Sequence, residues 1–227
     1  MKSVSAIICA FNEEKTVTDV VVKVANYYFD EIIVVNDGSS DQTDFNLKSI
    51  SKYYNFKYIV LPENKGKGFA MATGIENASG DIIVFIDADL SNLQENHFFK
   101  LITPIRNDEA DMVLGQATET LINYKINPFK SFTGERALLK KDILPILEGM
   151  KSSKFGVETL INLYYQAQEK RVKYVMLTGL AHPTKFEKTN QYQATKEFAV
   201  EAHQIALTAF NNFNLITKVI RNNLKKW

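Results

Sequence analysis

At 227 residues, 45% apolar and 23% charged, the chain has the composition of an ordinary globular protein, which excludes a disordered or fibrous one. Its 27 Lys and Arg against 26 Asp and Glu leave a formal charge of +1, so no nucleic-acid partner is expected. The single Cys9 excludes an internal disulfide and a cysteine-based metal site, and no apolar run approaches the ~18–20 residues that span a bilayer. The opening MKSVSAIICAFNEE runs straight into a strand without a secretory leader. A cytoplasmic location is therefore expected, at most at the cytoplasmic face of a membrane.

From Val4 to Asp89, strand, loop and helix alternate. Short continuous runs rich in Val and Ile predict strands at Ser5–Ala10, Glu31–Val35, Tyr58–Leu61 and Asp81–Ile86. Continuous rather than alternating apolar runs imply burial on both faces, as in a parallel sheet covered by helices. Helical spacing predicts Glu13–Tyr28, Asp44–Tyr54 and Lys67–Ala78 between them, giving an α/β, Rossmann-like first half. Beyond Asp89 the expectation is a helix at Gln94–Arg106, a strand at Met112–Gly115, an irregular stretch at Gln116–Thr133, a helix at Phe155–Lys170 and a strand at Lys173–Thr178. The tail reads as one long amphipathic helix whose apolar residues, from Phe198 through Ile205, Phe213 and Ile220 to Leu224, step by three and four.

The strongest local signal is IIVFIDADL, residues 82–90, where a buried strand ends in Asp87 and Asp89 with Ala88 between them. Ligands of open α/β sheets bind at the carboxyl ends of the strands. Two carboxylates so close repel, and need a cation, a positive side chain or generous solvent. Mg²⁺ or Mn²⁺ suits such oxygen ligands and can bridge to a diphosphate. A second acidic strand end, NDGSSD at residues 36–41, offers Asp37 to a base or ribose, with Ser39, Ser40 and Asp41 able to cap the next helix. A third, CAFNEE at residues 9–14, sets Asn12, Glu13 and Glu14 at a helix start. In ENKGKGFA, Gly66 and Gly68 flank Lys67 ahead of a helix, where amides and lysine favour an anion.

In this order, Ala10–Glu14, Val35–Thr43, Asn64–Gly74 and Gly80–Leu90 resemble the successive signatures of family-2-type glycosyltransferases of the GT-A fold. The resemblance implies a mostly parallel central sheet flanked by helices, spanning residues 1–190, with 191–227 as a C-terminal helical extension. It implies a nucleotide-sugar donor bound by Ala10, Phe11, Glu13, Asp37, Lys67, Gly68, Asp87 and Ala88, with Asp87 facing the ribose and Asp89 the metal. Farther on, FTGERALLKKDIL, KFGVETLINLYY and LTGLAHPTKF resemble segments of glucosyl-3-phosphoglycerate synthases, with dolichyl-phosphate sugar synthases as the other kindred group. By that similarity His182 completes the metal site with Asp89, Glu158 binds donor-sugar hydroxyls, and Gly134, Glu135 and Arg136 form the loop facing donor and acceptor. The chain departs from those synthases after Met112–Gly115, where Gln116–Thr133 supplies Lys125 and Lys130 but no Arg, which argues against phosphoglycerate as acceptor.

The residues themselves leave alternatives open. Arg136 can clamp a phosphate, or pair structurally with Glu135 or Glu158. Glu158 can be a first-turn acid, or the general base of an inverting enzyme. The last helix can pack on its own domain, on a partner subunit in a homodimer, or through Lys218, Arg221, Lys225, Lys226 and Trp227 on an anionic membrane. The functional expectation is a metal-dependent hexosyltransferase moving glucose or mannose from a UDP- or GDP-sugar to a hydroxyl or phosphate acceptor, small and phosphorylated or lipid-linked. The alternatives are a sugar nucleotidyltransferase and a non-catalytic nucleotide-sugar-binding protein.

Overall fold

The structure, a computed structural model, describes residues 1–27, 29–117, 134–181 and 191–225. Its first half follows the expected alternation: β1 (Val4–Ala10), α1 (Val17–Ala25), β2 (Glu31–Asn36), α2 (Thr43–Ile50), β3 (Lys57–Val60), α3 (Lys67–Asn77) and β4 (Ile82–Asp87). The second half runs α4 (Glu95–Arg106), β5 (Met112–Ala117), β6 (Arg136–Leu139), α5 (Lys140–Ile143), α6 (Leu147–Ser153), α7 (Val157–Ala167), β7 (Val172–Leu177), α8 (Gln191–Asn211) and α9 (Phe213–Leu224). One seven-stranded sheet takes the order β3-β2-β1-β4-β6-β5-β7. All its pairings are parallel except those of β6, which runs antiparallel to both β4 and β5. The expected mostly parallel sheet is what forms.

Side chains of a strand alternate between faces, and β1 shows how the sheet gathers two cores. Val4, Ala6, Ile8 and Ala10 join α1 and α4 residues such as Val21, Phe98 and Leu101 on one face. Ile7 joins α3, α6 and α7 residues such as Met71, Met150 and Ile161 on the other. Burial of each such large side chain contributes about 1.5–3 kcal/mol, which explains why continuous apolar runs mark these strands.

Three differences from the sequence expectation have local causes. Helix α1 starts at Val17 rather than Glu13, because the Glu13 carbonyl accepts from both Thr16 N and Val17 N in a turn that precedes it. Strand β6 and helices α5 and α6 occupy a stretch to which the sequence pattern assigns no element: four residues, one of them an arginine, carry too little periodicity to register as a buried strand. The expected single C-terminal helix is two, parted at Asn212, whose side-chain amide donates to the Thr208 carbonyl at 2.8 Å. Nor does the expected apolar line all face inward. Thr208 is buried, Leu215 packs on the core and Asn222 donates to the Ala167 carbonyl, while Phe213, Ile220 and Leu224 are exposed.

Candidate active site

The chain leaves β1 for β2 and β3 on one side and returns to β4 on the other, so the strand order reverses between β1 and β4. Such a switch point opens a crevice at the carboxyl ends of the strands. The register sets Cys9 beside Asp87, and Ala10 beside Asn36, so the loops after β1, β2 and β4 leave the sheet side by side. Because β6 is antiparallel, its amino end arrives at this same edge. Phe85 pairs with Arg136, and two residues farther along each strand Gly134 meets Asp87.

The loops after β1 and β2 are laced together. Asn12 N donates to Ser39 Oγ at 3.0 Å, Ser40 N to Asn12 Oδ1 at 2.8 Å, and Glu13 N to Thr43 Oγ1 at 2.9 Å. Glu14 N donates to Asp41 Oδ2 at 3.2 Å, and Gln42 N to Glu14 Oε2 at 3.0 Å. Ala10 is buried and its carbonyl accepts from Asp37 N at 2.9 Å, while the Glu13 carboxylate accepts from Thr16 Oγ1 at 3.3 Å. Phe11 stands exposed on the rim. The serines that sequence reading assigned to capping α2 instead tie this loop to Asn12 and Asn36, and only Asp41 reaches toward the helix, accepting from Thr43 N at 3.0 Å.

Asp37 is buried, with its carboxylate oxygens accepting from Lys65 N at 2.8 Å and Gly66 N at 2.9 Å. Burial pushes its pKa up against the opposing pull of those two amides. The bonds draw the loop ahead of α3 onto the end of β2. Gly38, at φ +68°, lies so close that a Cβ there would meet the Glu63 carbonyl carbon at 2.3 Å. Gly68 is likewise explained by packing, since a Cβ would fall 2.2 Å from the Met150 carbonyl oxygen of α6.

Next to this lies a partly buried charge cluster. Lys67, the first residue of α3, places Nζ 3.0 Å from Asp87 Oδ1 and 2.8 Å from Glu158 Oε1. Burial alone would lower the Lys67 pKa; Asp87 and Glu158 overturn this and hold the ammonium well above the usual lysine range. Arg136 is fully enclosed, with Nη2 3.8 Å from Glu158 Oε2 and Nη1 donating to Asn162 Oδ1 at 3.4 Å. Arg136 thus pairs with Glu158, as one of its two expected readings has it. Asp87 rises to about 6, pushed by burial, drawn back by Lys67, and pushed further by Glu135, Glu158 and Asp89. The positive side chain that paired aspartates require is thus Lys67. A Cβ on Gly134 would lie 1.9 Å from Asp87 Oδ2, so only glycine fits against that carboxylate.

Four acids, Asp87, Asp89, Glu135 and Glu158, and two bases, Lys67 and Arg136, gather at this end of the sheet. Ala88 is buried, which directs the partly exposed Asp89 out at the crevice edge. Ser91 and Ala181 exchange backbone hydrogen bonds of 2.9 and 3.2 Å, so the segment leading to residue 182 is fastened two residues from Asp89. His182 itself lies outside the described residues, as does most of Gln116–Thr133 with Lys125 and Lys130. Among the described residues no three His, Cys, Asp or Glu side chains converge as a ready metal cluster. The hard oxygen donors of the Asp87 and Asp89 carboxylates nevertheless fit Mg²⁺ or Mn²⁺.

Residues 5–155, more than half of the chain, match the family model described as Glycosyl transferase family 2. The chain belongs to this family. The glycosyltransferase is 32% identical over 120 residues to a poly-beta-1,6-N-acetyl-D-glucosamine synthase of Staphylococcus aureus (strain COL), covering 52% of this chain and 28% of that protein. It is 33% identical over 153 residues to a UDP-N-acetylglucosamine--dolichyl-phosphate N-acetylglucosaminyltransferase of Methanococcus voltae, covering 60% of this chain and 61% of that protein. The chain therefore matches under a third of the first relative's length and about three-fifths of the second's. Among solved structures, glucosyl-3-phosphoglycerate synthase from Mycobacterium tuberculosis in complex with Mg²⁺ and UDP aligns with a TM-score of 0.72 at 20% identity, covering 92% of this chain and 79% of that one. The same synthase with Mn²⁺, UDP and glucosyl-3-phosphoglycerate gives 0.71, also at 20% identity and with the same coverage. These likenesses establish the GT-A fold, and the family is that of glycosyl transferases and not of nucleotidyltransferases.

Sequence reasoning missed Asn162 and the amides of Lys65 and Gly66. Asn162 had a signal: it stands four residues after Glu158 and so on the same face of α7, where Leu160, Ile161 and Tyr165 are buried. The amides had none, since any residue supplies one.

Proposed function

We propose that this glycosyltransferase moves a hexose from a UDP- or GDP-sugar to a hydroxyl or phosphate acceptor, with Mg²⁺ or Mn²⁺ held by Asp89 and His182. The observation that carries the reading is the placing of Asp87, Lys67 and Glu158 together at the switch point, where the Asp87–Ala88–Asp89 strand end opens. When bound, the cation supplies charge neutralisation for the departing nucleoside diphosphate. The chain does the rest by orientation. Phe11 offers a face to the base, and Asp37 holds the loop that brings Lys67 to the site. Lys67 holds the Asp87 and Glu158 carboxylates in place, ready to accept from sugar and ribose hydroxyls.

Glu158 lies between Lys67 and Arg136, 2.8 Å from Lys67 Nζ and 3.8 Å from Arg136 Nη2. Held in place by these two cations, its carboxylate is suited to accept from donor-sugar hydroxyls. The acceptor is a small phosphorylated molecule or a lipid-linked one; the missing arginine in Gln116–Thr133 weighs against phosphoglycerate. Two relatives are named for N-acetylglucosamine, so the donor panel includes UDP-N-acetylglucosamine beside UDP-glucose and GDP-mannose.

The test is donor hydrolysis and transfer with Mn²⁺ or with chelator. Asp89→Ala is expected to lose roughly a thousandfold, with wild type equally inactive in chelator. Equal, metal-independent turnover by both proteins would overturn the reading.

A further inference from the structure

We propose that the C-terminal helix pair docks this protein on an anionic membrane surface through an outward apolar stripe flanked by lysine and arginine. The inference does not depend on which donor or acceptor is used. Phe210 at the end of α8 is 76% exposed, and on α9 Phe213 is 61%, Ile220 53% and Leu224 70% exposed. At 100° per residue, Phe213, Ile220 and Leu224 fall within about 40° of one another. Arg221, Lys225 and Lys218 lie together on one flank, about 80–140° from Phe213. The inward line of Leu215 and Asn222 is on the far side, where Asn222 Nδ2 donates to the Ala167 carbonyl at 3.2 Å. Helix α9 therefore has two apolar faces, and its own domain uses only one.

Charge decides what the outer face meets. From Ala202 to Trp227 there is no Asp or Glu, while Lys218, Arg221, Lys225 and Lys226 all fall there. Among the described residues none of Lys218, Arg221 and Lys225 forms an ion pair; Lys218 donates only to the neutral Gln168 amide at 3.2 Å. A second copy packed on this stripe would set like charges against like. Lipid phosphates would neutralise them, with the phenyl and branched side chains at headgroup depth, as in other interfacial amphipathic helices. No helix among the described residues is long and apolar enough to cross a membrane, so the contact is one of lying on the surface. Thr208 packs on Gly156, two residues before Glu158, so the α8–α9 joint with Phe210 and Phe213 sits at the active-site end of α7.

The full chain is sedimented with vesicles of phosphatidylcholine alone and of phosphatidylcholine mixed with phosphatidylglycerol. Binding to the mixed vesicles is expected to be roughly a hundredfold tighter, the effect of three basic residues at an anionic surface, and to weaken with salt. Phe213→Ser with Leu224→Ser should weaken it tenfold or more, and Lys218→Gln with Arg221→Gln and Lys225→Gln should abolish the preference for phosphatidylglycerol. Circular dichroism melting checks folding, and the charge variant alters only solvated atoms, so it keeps the test intact if the apolar one misfolds. Absence of vesicle binding by wild type overturns the proposal, as does equal binding to both vesicles. So does a dimer in sedimentation equilibrium that Phe213→Ser dissociates, without lipid binding.

Discussion

Two clusters of acids and bases occupy opposite ends of the same sheet. At the carboxyl ends, the enclosed Arg136 and the partly buried Lys67, Asp87 and Glu158 share bonds that run between α3, β4, β6 and α7. At the amino ends of β5 and β7, Arg171 bonds Asp111 at 3.0 Å and Asp108 at 3.3 Å, and Lys173 bonds Glu109 at 2.6 Å, largely in solvent. The residue types are the same and the physics is not. Exposed pairs are screened and contribute little, whereas a buried cluster costs desolvation that its own attraction barely returns. Such a cluster at the strand ends adds little to stability, which leaves function as the reason to keep it.

Lys67→Met should separate the two ends most sharply. It removes the ammonium that bonds the partly buried Asp87 and Glu158, and is expected to cost about 3 kcal/mol, or roughly 10 °C in thermal melting, together with donor turnover. Gly134→Ala comes next. Its Cβ would collide with Asp87, so a displaced carboxylate and about a hundredfold loss of kcat/KM are expected, with the far-UV spectrum retained.

The clusters should also answer pH with opposite signs. Asp87 is raised in the folded state to about 6, so between the unfolded carboxylate value near 4 and about 6 the native protein binds the extra proton. Its contribution to stability therefore grows as pH falls through 6. Asp111 is lowered by its bond to Arg171, so its contribution is present above about 4 and is lost as pH falls toward the lower folded value. Denaturant titrations in chelator should show Asp111→Asn flattening the slope below about pH 4, and Asp87→Asn flattening one of opposite sign between about 4 and 6. The smallest effect belongs to Arg171→Met, expected to change stability by about 1 kcal/mol or less and turnover not at all. A loss of turnover there would erase the distinction between the two ends.

Much of the candidate site was legible along the chain because it is local. Each of the loops after β1, β2 and β4 follows its strand within a few residues, so IIVFIDADL, NDGSSD and CAFNEE carry both the strand and the residues at its end. The charge cluster was legible only as separate residues. Lys67 and Glu158 stand 91 positions apart and meet at 2.8 Å, a contact no spacing rule foretells. The outward turn of Phe213, Ile220 and Leu224 was hidden for a different reason. Steps of three and four define a face, but not whether that face looks in or out.

The sequence by itself determined the parallel first half, the acidic strand ends and the family, because backbone propensity, apolar runs and turn residues act over a few positions. Only the tertiary structure decided that β6 runs antiparallel and so delivers Gly134 to Asp87, and that Arg136 is enclosed between Glu158 and Asn162. It also decided that the last helix is broken at Asn212. Strand direction, charge pairing and the choice of buried face depend on what distant segments cover, and burial against them sets which arrangement has the lower free energy.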